Sequence, residues 1–198
     1  MRLISLLAAM LISLAGSAAI AQTQQTITYT YYPVRPEVGT SIYKQMFKDS
    51  TVTHQDRKVV AISDWNIKYT VSYRTLKDGL CEIETHEVVS TCDITLPRLV
   101  TDEKRLIDAF NEYMPYLRKH EHHHCQIAMD YADYLDNQLK SLGPMECQAL
   151  KAAVKATRNT AIIEAKKAHQ LFDRQTVENR KKFHAGTHFL ADLFPENP

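Results

Sequence analysis

"WNIKYTVSYRTLKDGLCEIETHEVVSTCDITL", residues 65–96, decides the fold. Trp65, Ile67, Tyr69, Val71 and Tyr73 fall on one side of an extended chain; Asn66, Lys68, Thr70, Ser72 and Arg74 fall on the other. A period of two predicts a half-buried antiparallel strand. Asp78-Gly79 within "LKDGL" (76–80) marks a hairpin turn. "CEIETHEVVSTCDITL" (81–96) is then the returning strand, with a bulge to absorb its irregular alternation. Upstream, "TITYTYY" (26–32) alternates threonine with β-formers, and "TSIYKQMFKD" (40–49) reads as a short helix capped by Thr40 or Ser41.

Downstream the character changes at Pro97. Asp102 and Glu103 suit the first turn of a helix. Leu106, Phe110, Tyr113, Leu117, Ile127, Tyr131, Leu135 and Leu139 then recur at helical spacing and predict one apolar face. Pro115 should kink that helix or restart it. "LGP" (142–144) breaks the pattern, and a second helix follows from about Met145 to Phe172, carrying Leu150, Val154, Ala161, Ala165 and Ala168. The expected fold is α+β: a small antiparallel sheet in the N-terminal half packed on a C-terminal antiparallel helical hairpin. The β-rich part covers 26–97 and the helical part 101–190, within one domain spanning 22–198.

The chain has 198 residues and a formal net charge of +1, from 24 Lys+Arg against 23 Asp+Glu. That balance provides no basic footprint for nucleic acid. Residues 1–21 combine Arg2, an apolar run from Leu3 to Leu14, and small residues at Ala19 and Ala21. They read as a secretory signal peptide, leaving no stable membrane span after cleavage. Four cysteines then imply two disulfides in an oxidising compartment, periplasmic or extracellular. Cys81 and Cys92 are about 36 Å apart on an extended strand, far beyond bonding reach. If the strand lies antiparallel to the first helix, Cys81–Cys147 and Cys92–Cys125 are favoured. A strand that folds back would instead allow a local Cys81–Cys92 bridge.

"RKHEHHHCQIA" (118–128) contains H-E-x-x-H as His120, Glu121 and His124. Residues at i and i+4 lie one above the other on a helix, so both imidazoles can reach one zinc ion. Both histidines fill the gap in the apolar face between Leu117 and Ile127, a register that a solvated histidine tract has no reason to adopt. Glu121, rotated by about 100°, stands beside the ion as general base toward a water. His122 and His123 face elsewhere. Zinc chemistry needs a third protein ligand. Equal rise from a turn near Gly143-Pro144 puts His124 level with about Glu164 and His120 with about Ala168. Glu164, His169 and Asp173 are therefore candidates, as are Glu178, His184 and His188 from the segment beyond.

"YYPV", "WNIKY", the cysteine-bearing strand ending "ITLPRL", H-E-x-x-H, "CQAL" and the terminal "FDRQT" together resemble a bacterial family of predicted secreted zinc-dependent proteases, otherwise labelled a domain of unknown function. The resemblance covers nearly the whole chain after the signal peptide. It implies a zinc peptidase with a peptide or protein substrate and Zn2+ as cofactor. The family's terminal motif runs roughly Y-D-x-x-T-x-H-G. Here Phe172 replaces the tyrosine, Asp173 and Thr176 match, and Glu178 and Asn179 stand where histidine and glycine are expected. The third ligand is then Asp173 or Glu178, with His184 as a displaced ligand or an oxyanion partner. The alternatives to a peptidase are a non-catalytic exported zinc-binding protein and an envelope interaction module.

Overall fold

The computed structural model describes residues 23–184, with side chains over 23–176, so the 1–21 segment lies outside the described residues. The chain runs β1 (Gln24–Val34), α1 (Ile42–Asp49), β2 (Thr53–His54), β3 (Arg57–Lys58), β4 (Ile62–Thr75), β5 (Cys81–Leu99), α2 (Lys104–Ser141) and α3 (Cys147–His184). The architecture is α+β, with a small sheet from the N-terminal half and two long helices packed on it.

β4 and β5 form the expected antiparallel hairpin, with Trp65 opposite Cys92 and Ile67 opposite Ser90. The register shift comes between Ser72 and Tyr73, whose partners are Thr85 and Ile83; Glu84 is the extra residue, so the bulge lies in the returning strand as expected. Gly79 takes a φ of 86°, a left-handed conformation that favours glycine, and closes the turn by donating to Leu76 O. β5 is the central strand. Val88, Ser90, Cys92, Ile94 and Leu96 are buried on one face, while Glu87 and Asp93 face solvent.

The sheet departs from the expected all-antiparallel arrangement. β1 pairs with the other edge of β5 in parallel, Ile27 opposite Cys92, so the order is β1-β5-β4 and the sheet is mixed. α1 and the two short strands β2 and β3 separate β1 from the hairpin, which leaves chain enough for β1 to return in the same direction as β5. Ser41 caps α1 by accepting from Lys44 N.

α2 continues through Pro115 without restarting. Packing on both sides of the proline offsets the lost hydrogen bond. Phe110, Tyr113, Met114 and Leu117 join Tyr32, Val34, Ile42 and Met46 in one cluster, and Leu117 also touches the cluster around Ile94 and Leu96. Farther along, Ala132, Leu135 and Leu139 of α2 meet Ile67, Val88, Val154 and Ala161. α3 begins at Cys147, and Met145 instead pairs with Cys81 through two backbone hydrogen bonds of 2.8 and 3.0 Å.

Cys81 bonds Cys147 and Cys92 bonds Cys125. The first disulfide ties the start of β5 to the start of α3. The second ties the middle of the central strand to α2. Their sequence separations are 66 and 33 residues, so loop entropy alone is worth about 4 kcal/mol for each in the chain-entropy account. Among the described residues no helix is long and apolar enough to cross a membrane.

Candidate metal centre

Two pairs of i, i+4 residues meet between α2 and α3. His120 and His124 lie on one line along α2; His169 and Asp173 lie on one line along α3. His124 Nε2 is 3.0 Å from Asp173 Oδ1, His120 Nε2 is 3.4 Å from the same oxygen, and the two Nε2 atoms are 3.2 Å apart. The three side chains thus form a closed triangle of potential ligand atoms. Zinc bonds of about 2.0–2.1 Å put neighbouring corners of a tetrahedron about 3.3–3.4 Å apart. The observed edges match one face of such a tetrahedron. Protons fit the triangle less well: each Nε2–H lies along one edge, so two histidines satisfy at most two of the three. A cation at the centre engages all three donors at once, and a His2Asp set suits zinc.

Exposure differs among the three corners of the triangle. The His124 side chain is 11% exposed and His120 22%, but Asp173 is 55% exposed. Asp173 is therefore the most exposed corner of the triangle.

Aromatic packing holds the rings. Phe172 stacks on His120 at 4.9 Å, meets His124 edge-on at 5.1 Å, and packs on His123 at 4.1 Å. His124 Nδ1 lies 2.8 Å from Nδ1 of buried His169, whose ring stacks on Trp65 at 4.6 Å. Burial pushes the pKa of His169 down to about 4, helped by neighbouring His124, so the ring is neutral. Burial also lowers the pKa of His124, against the opposing pull of Asp173.

Glu121 faces the sheet. It is buried, and Ser63 Oγ on β4 lies 2.8 Å from its Oε2 and 2.7 Å from its backbone carbonyl, able to donate to either. Burial raises the Glu121 pKa to about 7; the Ser63 hydrogen bond opposes that rise and the charge of Asp173 adds to it. Burial thus favours the protonated carboxyl at this position.

His120, His124 and Asp173 converge as potential ligands, with Glu121 beside His120 in the chain. Glu164 instead pairs with Lys167 on the surface of α3. Glu178 and His184 lie on the backbone of α3, but their side chains, and all of His188, are outside the described residues. His124 contacts α3 several residues beyond the level that equal rise predicts. The offset has the sign of the Cβ tilt: side chains on both helices lean toward their own N-termini, away from the turn on α2 and toward it on α3. Ser63 carried no signal in the sequence, since a strand serine ordinarily faces solvent or backbone. Trp65 read as core; it is also the platform under His169.

A family model described as "Bacterial protein of unknown function (DUF922)" matches residues 29–180, a span containing every side chain of the triangle together with Ser63, Glu121 and His169. No curated protein and no solved structure matches the chain.

Proposed function

The chain belongs to this bacterial family of unknown function, and from that premise we propose that it is an exported zinc-dependent hydrolase, in the first instance a peptidase. The observation that carries the reading is the triangle of His120 Nε2, His124 Nε2 and Asp173 Oδ1, with edges of 3.0 to 3.4 Å. His120, His124 and Asp173 would hold the ion. When bound, zinc supplies Lewis acidity, polarising a carbonyl and acidifying water.

The protein's own groups supply the rest. Glu121 takes a proton from the attacking water at a carboxylate oxygen and later returns it to the leaving amine. Its burial raises its pKa, which favours its accepting that proton. Ser63 orients that carboxyl by donating to Oε2. Phe172 shields the imidazoles from bulk water, and the exposed side of Asp173 leaves the approach for an extended substrate. The two disulfides support an oxidising location.

A second reading, zinc capture without hydrolysis, draws on Ser63, which engages the Glu121 carboxyl and turns it toward β4. One experiment separates the two. Zinc is titrated into wild type and E121Q, and both are assayed on a peptide library. The peptidase reading expects one zinc in each and cleavage by wild type only. Equal zinc binding with no cleavage by wild type supports capture. Less than equimolar zinc in wild type overturns both.

A further inference from the structure

We propose that His169 is a positioning residue that sets the tautomer of His124, an inference that rests on the zinc reading above. One N–H lies between the two Nδ1 atoms, 2.8 Å apart, so one ring donates and the other accepts. His124 can offer a lone pair toward His120 and Asp173 only if its own proton sits on Nδ1. His169 is the acceptor that holds it there, and its own proton then sits on Nε2.

The surroundings of His169 fit that single task. The ring is buried and lies nearly parallel to Trp65, with an interplanar angle of 13°. Its Nε2 has no hydrogen-bond partner among the described residues, so the bond to His124 is the one polar bond recorded for this ring there. Burying an imidazole with one nitrogen unsatisfied costs free energy that a phenyl ring would not incur. The position nevertheless carries an acceptor, aimed at the outer nitrogen of a residue whose inner nitrogen belongs to the triangle. A hydrogen bond to the outer nitrogen of a metal-binding histidine both orients the ring and raises its basicity. Trp65 fixes the plane of His169 and, through it, that of His124. The edge strand β4 thereby reaches the site twice, through Ser63 to Glu121 and through Trp65 to His169.

The test is competitive zinc titration of wild type, H169F and H169Q, with circular dichroism as the check on folding. H169F keeps a ring on Trp65 and removes the acceptor; H169Q restores an acceptor oxygen. Zinc affinity should fall about 10–100-fold in H169F and recover to within about 3-fold of wild type in H169Q. Affinity within about 3-fold of wild type in both variants, or an equal fall in both, overturns the positioning role while leaving the zinc reading intact. Absence of zinc binding by wild type overturns both. Nitrogen-15 spectra of the zinc-loaded wild type provide a readout that needs no variant: they should show His124 protonated at Nδ1 and His169 at Nε2. The opposite tautomer of His169 overturns the proposal.

Discussion

Asp173 Oδ1 lies 3.0 Å from His124 Nε2, joining positions separated by 49 residues of chain. The contact is what turns a local histidine pair into a candidate site. Replacing Asp173 by Asn should weaken zinc binding by more than the 10–100-fold that outer partners contribute, because a charged ligand is lost. Isothermal titration with Zn2+ reads this directly. Asp173 is more than half exposed, so the melting temperature of the metal-free protein should change little. A variant that binds zinc as wild type does would move the third ligand elsewhere.

The Cys92–Cys125 disulfide anchors the turn of α2 that follows His124. Replacing both cysteines by serine should cost about 2–5 kcal/mol, measured by denaturant unfolding. Zinc affinity should fall as well, because α2 then holds His124 on the sheet by packing alone. Reducing Cys81–Cys147 should destabilise the fold without a comparable loss of affinity, since that bond lies at the far end of both helices from the triangle.

His86 on β5 and Asp136 on α2 form a buried pair, Nε2 to Oδ1 2.8 Å, with side chains 8% and 7% exposed. Lys140 also reaches Asp136 at 2.5 Å. Asp136→Ala should cost about 3–5 kcal/mol, because it strands a buried polar ring. The double variant H86L/D136L should recover part of that loss. A thermal-unfolding double-mutant cycle measures the coupling, and strict additivity would refute it.

Tyr32 is the alkaline-sensitive group of the α1 corner. Its buried hydroxyl lies 2.7 Å from Val60 O and 3.2 Å from Met46 O, and donates there. Burial raises its pKa well above the ordinary tyrosine value; the hydrogen bond with Ser50 opposes this and Tyr113 adds to it. A raised pKa favours the protonated group in the fold. Its contribution is therefore fully present below the unfolded pKa of about 10 and is lost as pH rises through the folded value. The stability difference between wild type and Y32F, about 1–2 kcal/mol at pH 8, should shrink above pH 10. Denaturant titrations at both pH values test the sign.

The hairpin of β4 and β5 was legible because alternation and an Asp-Gly turn are local signals. The parallel placement of β1 was not, because nothing in "TITYTYY" says which strand lies beside it. Pro115 illustrates the same limit. Its cost is local and visible; the packing of Phe110 and Leu117 that outweighs it is tertiary. At the site, the i, i+4 histidines could be read from "HEHHH". That Asp173 approaches them could not, since it depends on how two helices lean past each other; the side chain of Glu178 lies outside the described residues. Ser63 was illegible for a further reason: its role exists only where the edge strand passes beneath Glu121.

Cys125 follows His124 directly, so the crosslink and the histidine-bearing turn share one segment of backbone. Any ion held by His124 is thermodynamically linked to the Cys92–Cys125 bond, and linkage is reciprocal. An ion that binds more tightly to the crosslinked chain must, by the same factor, make that crosslink harder to reduce. Metal loading and oxidative maturation are then two readings of one equilibrium. On the zinc reading, the reduced chain would bind the ion more weakly than the crosslinked chain by that same factor.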